Sequence, residues 1–381
     1  MVNGWLVWLG DTFLNPNIVL SGFAAKLGAP GALIGLLPAL LQAGGMIPQA
    51  FLAPWVARLP QKIVLYRKVA ALRLSGVVLM ALSAFLFGQN HALLLAGFLL
   101  GLLFNALFTG VSSLPFWEVV AKTTPQKKRA ALFSARNLVG GLLAFLAGFL
   151  VREILALPLP FPLPYALLFS LGALSFGLGW YLFGLTKEPE EAPKEARLDL
   201  RAPLRRPEFR RYLRVRLLLG LAGMAEPFYA VYAVRVLGTR EELGLYLAFY
   251  ALAFTLANLL WARMAERGSK GVLQAGAFLG LLTPLLALLL TPQAFGLVFL
   301  LQGAYLAALG LATTTYLLNL APPEERSASI GLANTLAGFF AFSTVLGGYL
   351  SDRLGFPALF LLAALFYALA LYAGRKLPEE G

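Results

Sequence analysis

The chain has no cysteine and a single histidine, His91. Without cysteine it can form no disulfide, no thiolate metal site and no cysteine nucleophile. One histidine cannot supply a paired-histidine zinc motif, and the sequence has no phosphate-cradling glycine loop and no nucleophile elbow. We therefore predict no cofactor, no metal site and no enzyme, and we assign His91 no role.

Charge is also scarce, at 13% of 381 residues, whereas hydrophobic residues make up 59%. A soluble domain carries about 25% charged residues. Runs of about 20 apolar residues match the thickness of a bilayer, where only helices or closed barrels satisfy their backbone groups. The run from Leu93 to Leu114 lacks the alternation of a barrel strand. The sequence therefore predicts an all-α polytopic membrane protein.

Apolar runs divided at charges and turn residues predict twelve transmembrane helices in two pseudo-symmetric six-helix bundles. Their ranges are 4–25, 32–56, 69–88, 92–117, 131–152, 164–185, 213–236, 243–265, 272–291, 294–320, 329–351 and 356–374. The bundles would be 1–185 and 212–381. The linker between them, 186–211, mixes both signs of charge with four prolines, and we expect a solvated tether. The first helix has no basic leader or cleavage site before it, so we expect it to be retained.

Lysine and arginine are divided unequally between alternate loops. One side receives 26 of the 31, counting Arg67, Lys68 and Arg73 in the second loop and ten residues in 187–216. Cytoplasmic loops hold the excess of basic residues, so we predict a multi-pass protein of the cell inner (cytoplasmic) membrane with both termini cytoplasmic. These charges form no groove interleaved with aromatic residues, which argues against a nucleic-acid partner.

One loop pattern occurs twice, about 197 residues apart. Proline, arginine and asparagine recur at equal spacing as Pro125, Arg129 and Asn137 and as Pro322, Arg326 and Asn334. The pair Asn15-Pro16 in the first predicted helix likewise aligns with Glu226-Pro227 in the seventh. Internal duplication of this kind is typical of transporters built from structural repeats.

A loop after the eighth predicted helix contains Glu266, Arg267, Gly268 and Lys270. With the repeated loops and the long central linker, these residues resemble the major facilitator superfamily over essentially the whole chain, without indicating a subfamily. The resemblance implies alternating access by rocking of the two bundles, with helices 1, 4, 7 and 10 lining a central cavity. It also implies gating roles for Arg129, Arg326, Glu266 and Arg267.

Those four helices carry polar residues at helical spacing. The candidates for substrate binding or proton coupling are Asp11, Asn15, Asn105, Thr109, Glu226, Tyr229, Gln302 and Tyr305. Glu226 lies near the centre of the seventh helix, where an ionised carboxylate costs about 2.5–3.5 kcal/mol. It is either a proton-coupling or substrate-charge site or a structural acid paired between helices. Asp11 is either a second such site or an acid hydrated from the cytoplasm, and Asn15 either binds solute or joins helices.

Glu118 and Arg136 end the fourth helix and begin the fifth, so they could meet across the hairpin. The pair resembles one found in sugar transporters of the family, although Leu143 stands where those proteins have a tryptophan. Two interpretations remain open, a structural or gating salt bridge and a sugar site.

We therefore predict a monomeric secondary active transporter that moves a small organic solute across a lipid membrane, coupled to protons. Other transport hypotheses are an uncoupled facilitator and a lipid or amphiphile transporter. Hypotheses of other classes are a non-transporting membrane scaffold and a carboxylate-based membrane enzyme.

Overall fold

The described chain is helical throughout. A computed structural model describes residues 1–190, 202–239, 242–322 and 325–379, and those ranges contain no strand. The α-helices in chain order are α1 (Val2–Phe13), α2 (Ser21–Lys26), α3 (Gly31–Ala57), α4 (Lys62–Leu86), α5 (His91–Thr123), α6 (Gln126–Ala156), α7 (Leu163–Gly184), α8 (Pro207–Ala222), α9 (Phe228–Arg235), α10 (Leu243–Ala265), α11 (Ser269–Leu289), α12 (Gly296–Leu320), α13 (Arg326–Phe340) and α14 (Ser343–Arg375).

Ten helical stretches in these ranges are long and apolar enough to cross a bilayer. The last, Ala328–Arg375, holds two of the predicted spans, because Gly355 departs from helical geometry inside α14 with a φ of 83°. The first predicted span is α1 and α2 joined by a π-helical turn, Pro16–Leu20, and each piece is short. These ten stretches therefore account for eleven spans, and the broken first span completes the twelve. The predicted fold class is confirmed.

Several helices begin earlier than predicted. The helix α4 starts at Lys62 and not at 69, and α8 starts at Pro207 and not at 213. Arg73 and Arg216 therefore lie well inside helices, and their assignment to cytoplasmic loops was wrong. The boundary is hard to read from sequence because long basic side chains bury their stems and extend their charges toward water.

Two spans break at the aligned proline pairs. In the first, α1 ends at Phe13, and the Asn15 side-chain oxygen accepts hydrogen bonds from the backbone N–H groups of Asn17 and Ile18, at 3.1 and 3.0 Å. In the seventh, α8 gives way to a 3₁₀ turn, Gly223–Ala225, before Pro227 starts α9. Proline removes a backbone donor, so both breaks expose backbone groups inside the bundle.

Helices that precede the linker contact helices that follow it chiefly on one side of the molecule. Twelve crossings return the chain to its starting side, so α2, α9 and the start of α3 lie at the end remote from the termini, which we call the far end. There α2 packs on α9, α3 on α14, and α6 on α10. A buried apolar cluster shared by both parts includes Phe23 and Phe228. A second, around Tyr212, contains only residues after the linker.

The far end is closed by backbone contacts and one charged group of residues. A Cβ atom at Gly348 would overlap the carbonyl oxygen of Gly31, so α14 and α3 touch backbone to backbone. The Asp352 carboxylate accepts a hydrogen bond from the Gly31 N–H at 2.6 Å, and Arg235 donates to the carbonyl of Ala29. We call these five residues the far-end clamp.

The start of the linker is anchored to the helices before it. The Glu188 carboxylate accepts hydrogen bonds from the Lys122 ammonium and from the Ile63 N–H, each at 2.7 Å. The side chains of Lys122 and Glu188 are 5% and 0% exposed, so the expectation of a solvated tether was wrong at Glu188. Residues 191–201 of that linker lie outside the described residues, and the division 1–185, 186–211 and 212–381 stays a prediction.

Candidate functional site

A cavity of about 470 Å³ lies between the two parts of the chain. The residues that precede the linker contribute the first-span break and α3, and those that follow it contribute α8, α12, α13 and α14. Its polar lining consists of Asn17, Gln42, Arg216, Glu226, Thr313, Ser343 and Thr344. The volume lies in the range of small-molecule sites, about 300–1,000 Å³.

Glu226 lies where the break in the seventh span meets this cavity, and its side chain is half-buried. Behind it, Tyr229 and Tyr305 are fully buried, and so is Gln302, whose amide N–H donates to the Glu226 carbonyl at 3.2 Å. The structure thus brings four of the predicted residues together. It also corrects the prediction that Tyr229, Gln302 and Tyr305 line the cavity, since all three lie behind Glu226.

The sequence analysis missed a fifth member of this group, Tyr367 of α14. Its ring lies 5.7 Å from that of Tyr305, centroid to centroid, and Glu226 interacts electrostatically with both. The Tyr305 hydroxyl lies within hydrogen-bonding reach of Glu226 and of Tyr367, whereas the Tyr229 hydroxyl and the Gln302 side-chain oxygen are buried without a hydrogen-bond partner among the described residues. An unpartnered buried polar group costs about 1–3 kcal/mol. We call these four residues with Glu226 the tyrosine cluster.

A smaller pocket of about 180 Å³ adjoins the break in the first span. Asp11 and Asn15 line it with Trp8 from α1, and Tyr250 faces them from α10. Asp11 is exposed to this pocket, whereas the oxygen of Asn15 is occupied by the backbone of the π-helical turn. Tyr250 interacts electrostatically with both Asp11 and Glu226, which links the two acidic sites.

Asn105 and Thr109 line neither of these cavities. The Asn105 side-chain oxygen accepts from Arg73 Nε at 3.3 Å, and Arg73 Nη1 donates to Ser112 at 3.0 Å. The guanidinium of Arg73 also lies 4.1 Å from the ring centroid of Trp180, within cation–π range. Asn105 thus holds Arg73, and the Thr109 hydroxyl donates to the Asn105 carbonyl at 2.6 Å, so a role of these two residues in solute binding stays a prediction.

Glu118 and Arg136 do not form the predicted pair among the described residues. Glu118 is exposed, and the Arg136 guanidinium lies 5.2 Å from the ring centroid of Phe116. Arg136 instead interacts electrostatically with Asp11, as Arg73 does. The hairpin pair is not formed because α6 begins at Gln126, which places Arg136 ten residues inside the helix, where its side chain packs against Gly4 of α1.

Comparison with known proteins identifies the fold. The sequence model of the Major Facilitator Superfamily matches residues 217–380. The Staphyloferrin B transporter of Staphylococcus aureus (strain NCTC 8325 / PS 47) is 29% identical over 140 residues, which is 36% of this chain and 33% of that protein. The match thus spans about a third of that relative's length.

Solved structures resemble the chain over nearly its full length. A mutant of the nucleoside transporter NupG superposes with a TM-score of 0.77 at 15% identity, covering 99% of this chain and 98% of that one. A D-xylose-proton symporter gives 0.75 at 16% identity, covering 100% and 96%. A POT family transporter in complex with 5-aminolevulinic acid gives 0.72 at 14% identity, covering 98% and 96%. Residues 217–380 thus match the superfamily by sequence, and the chain as a whole shares the fold of these solved transporters.

The loop after α10, which resembles the superfamily loop signature, is exposed. Glu266 and Arg267 lie at the surface, and Gly268 adopts a φ of +128°, a conformation that favours glycine. The side chains of Arg129 and Arg326 lie outside the described residues. Gating by these four charged residues of the superfamily loops therefore stays a prediction.

Proposed function

We propose that this chain is a secondary active transporter that moves a small organic solute by alternating access, with protons as the coupling ion. The observation that carries the proposal is Glu226, an acid that faces the cavity between the two parts and is backed by the tyrosine cluster. Substrate sites at the repeat interface near the midplane are the general arrangement in such transporters.

The far-end contacts support alternating access. The contacts between the two parts run from the middle of the bundle to the far end, as at Gly35, whose carbonyl accepts from Thr344 at 2.6 Å. Opening toward the far end would have to break the clamp and separate Gly31 from Gly348. We propose that the termini are cytoplasmic, that the membrane is the cell inner membrane and that the transporter works as a monomer.

Proton coupling would use the change in charge at Glu226. A carboxylate inside the membrane is costly when ionised and unpaired, so proton uptake would favour passage through a closed state. The groups facing Glu226 are the tyrosines Tyr229, Tyr305 and Tyr367, and Tyr250 of the smaller pocket also interacts with it electrostatically. Their hydroxyls can donate to the ionised form and accept from the protonated form.

The test is solute flux in reconstituted vesicles under an imposed pH gradient, with sugars, nucleosides, amino acids and carboxylic acids as probes. Glu226→Gln should abolish pH-driven accumulation while leaving a folded protein. The matched control is Glu153→Gln, since Glu153 is an exposed acid in the last turn of α6. Unchanged coupling in Glu226→Gln would reject the proton role. Flux that ignores pH in the unaltered protein would favour an uncoupled facilitator.

A further inference from the structure

Arg216 places a positive charge inside the cavity between the two parts. It lies on α8, is half-buried, and lines the same 470 Å³ space as Glu226. Basic residues inside membrane-spanning segments usually face a partner or a water-filled space. The groups around Arg216 therefore indicate what the cavity can bind.

No carboxylate pairs with Arg216 in the described part of the chain. The ion pairs there are Lys122–Glu188, Arg152–Glu242, Arg206–Glu325, Arg235–Asp352 and Lys270–Glu379. Glu226 follows ten residues later, beyond the end of α8 and the 3₁₀ turn Gly223–Ala225. The remaining polar side chains of the cavity are neutral amides and hydroxyls. The guanidinium is therefore available to a ligand.

The other arginines inside the described helices do not line this cavity. Arg73 is held by two neutral groups and an aromatic ring and has no carboxylate within ion-pair distance in the described ranges. Arg73 and Arg136 both interact electrostatically with Asp11. Arg216 and Glu226 are therefore the two charged groups of the cavity lining, and Arg216 is the positive one.

We infer that the cavity takes an organic anion, a small molecule with at least one carboxylate that binds Arg216. The inference rests on the proposed function, because it names the class of the transported solute. Guanidinium and carboxylate groups match in a bidentate geometry, and the single positive charge of Arg216 balances one carboxylate. When Glu226 is protonated, Arg216 is the charged side chain that remains in the cavity lining, and one bound carboxylate balances it. Proton and anion would therefore bind together.

The matched variants are Arg216→Gln and Arg214→Gln. Arg214 lies two residues earlier on the same helix but is exposed and outside this cavity. Both variants remove one positive charge from α8, so they alter the net charge of the helix equally. Arg216→Lys keeps the charge but loses the bidentate geometry, and it serves as a second variant if the glutamine protein does not fold.

The experiment measures thermal stabilisation of the purified full-length protein near pH 6. The probes are lactate, succinate and citrate, with glycerol, xylose and uridine as uncharged probes and inorganic phosphate as a separate anion. A ligand that binds only the folded form raises the melting temperature. We expect at least one carboxylate to stabilise the unaltered protein, with a Kd raised by about tenfold or more in Arg216→Gln. Arg214→Gln should bind like the unaltered protein, and Arg216→Lys should bind with intermediate affinity.

The proposal is overturned if only uncharged probes, only phosphate or no probe stabilises the unaltered protein. It is also overturned if Arg216→Gln and Arg214→Gln bind carboxylates alike. These failures differ from failure of the proposed function. Vesicle flux of an uncharged solute that remains sensitive to Glu226→Gln would retain the coupled transporter and reject the anion, whereas absence of flux for every solute would reject transport itself.

Discussion

The charged residues within this helix bundle are accommodated in three different ways. Glu188 is fully buried and paired with Lys122 and a backbone N–H. Arg73 is held by neutral hydrogen-bond partners and an aromatic ring. Arg216 faces the central cavity without an acidic partner among the described residues. The first arrangement is complete by itself and serves structure, whereas the last leaves room for a ligand.

Glu188→Gln should destabilise the protein, because it removes the carboxylate charge that pairs with the buried Lys122 ammonium. Breaking a buried pair by removing one partner costs about 3–5 kcal/mol. Thermal unfolding in detergent measures the effect. Glu190→Gln, at an exposed acid two residues on, should be neutral. Equal melting temperatures for the two variants would mean that the anchor at Glu188 does not stabilise the fold.

At the scale of elements, the broken spans place their polar groups beside a cavity. The π-helical turn after Asn15 and the 3₁₀ turn before Glu226 both interrupt helices that would otherwise present only side chains. Freed backbone groups need other partners inside a membrane. The Ser21 hydroxyl donates to the Pro16 carbonyl at 2.7 Å and satisfies one of them.

Asn15→Ala should weaken the first-span break, because two backbone N–H groups lose the Asn15 oxygen. Loss of an N-capping side chain costs about 1 kcal/mol. Asn15→Ser supplies another capping oxygen, so its melting temperature should return most of the way to that of the unaltered protein. If serine and alanine destabilise equally, the oxygen of Asn15 does not hold this turn.

At the scale of the whole molecule, the two parts share a packed core at the far end and keep separate packing around Tyr212. The far-end clamp adds charged groups to a contact between glycine backbones. Alternating access would have to exchange this contact for one at the other end. Packed interfaces switch between discrete arrangements and do not deform continuously.

Gly348→Val should prevent the far end from closing, because its side chain would enter the space occupied by the Gly31 carbonyl. We expect solute flux in vesicles to fall to background while the protein still folds. Gly271→Val is the control, since no atom outside its own helix lies within 4 Å of a Cβ there. Normal flux in Gly348→Val would show that this backbone contact is dispensable for transport.

The sequence predicted the fold well and the site in part. Long apolar runs are a local signal, and they predicted twelve spans. The two proline pairs were recognised as a repeat, whereas the breaks beside them are seen only in the structure. The roles of Arg73 and Arg216 were missed because the early starts of α4 and α8 cannot be read from the sequence, so both charges were counted with those of the neighbouring basic loops. Tyr367 was missed because only tertiary packing brings the last span behind the seventh.

The backbone contact between α3 and α14 also allows the equilibrium between molecules closed and open at the far end to be measured before any substrate is known. Leu33 and Leu346 flank it on the two helices, and the sequence has no cysteine of its own. Spin labels on cysteines introduced at those two positions would therefore report one distance. A second, longer distance in lipid would give the population of molecules opened at the far end, and its change with pH would measure the coupling directly.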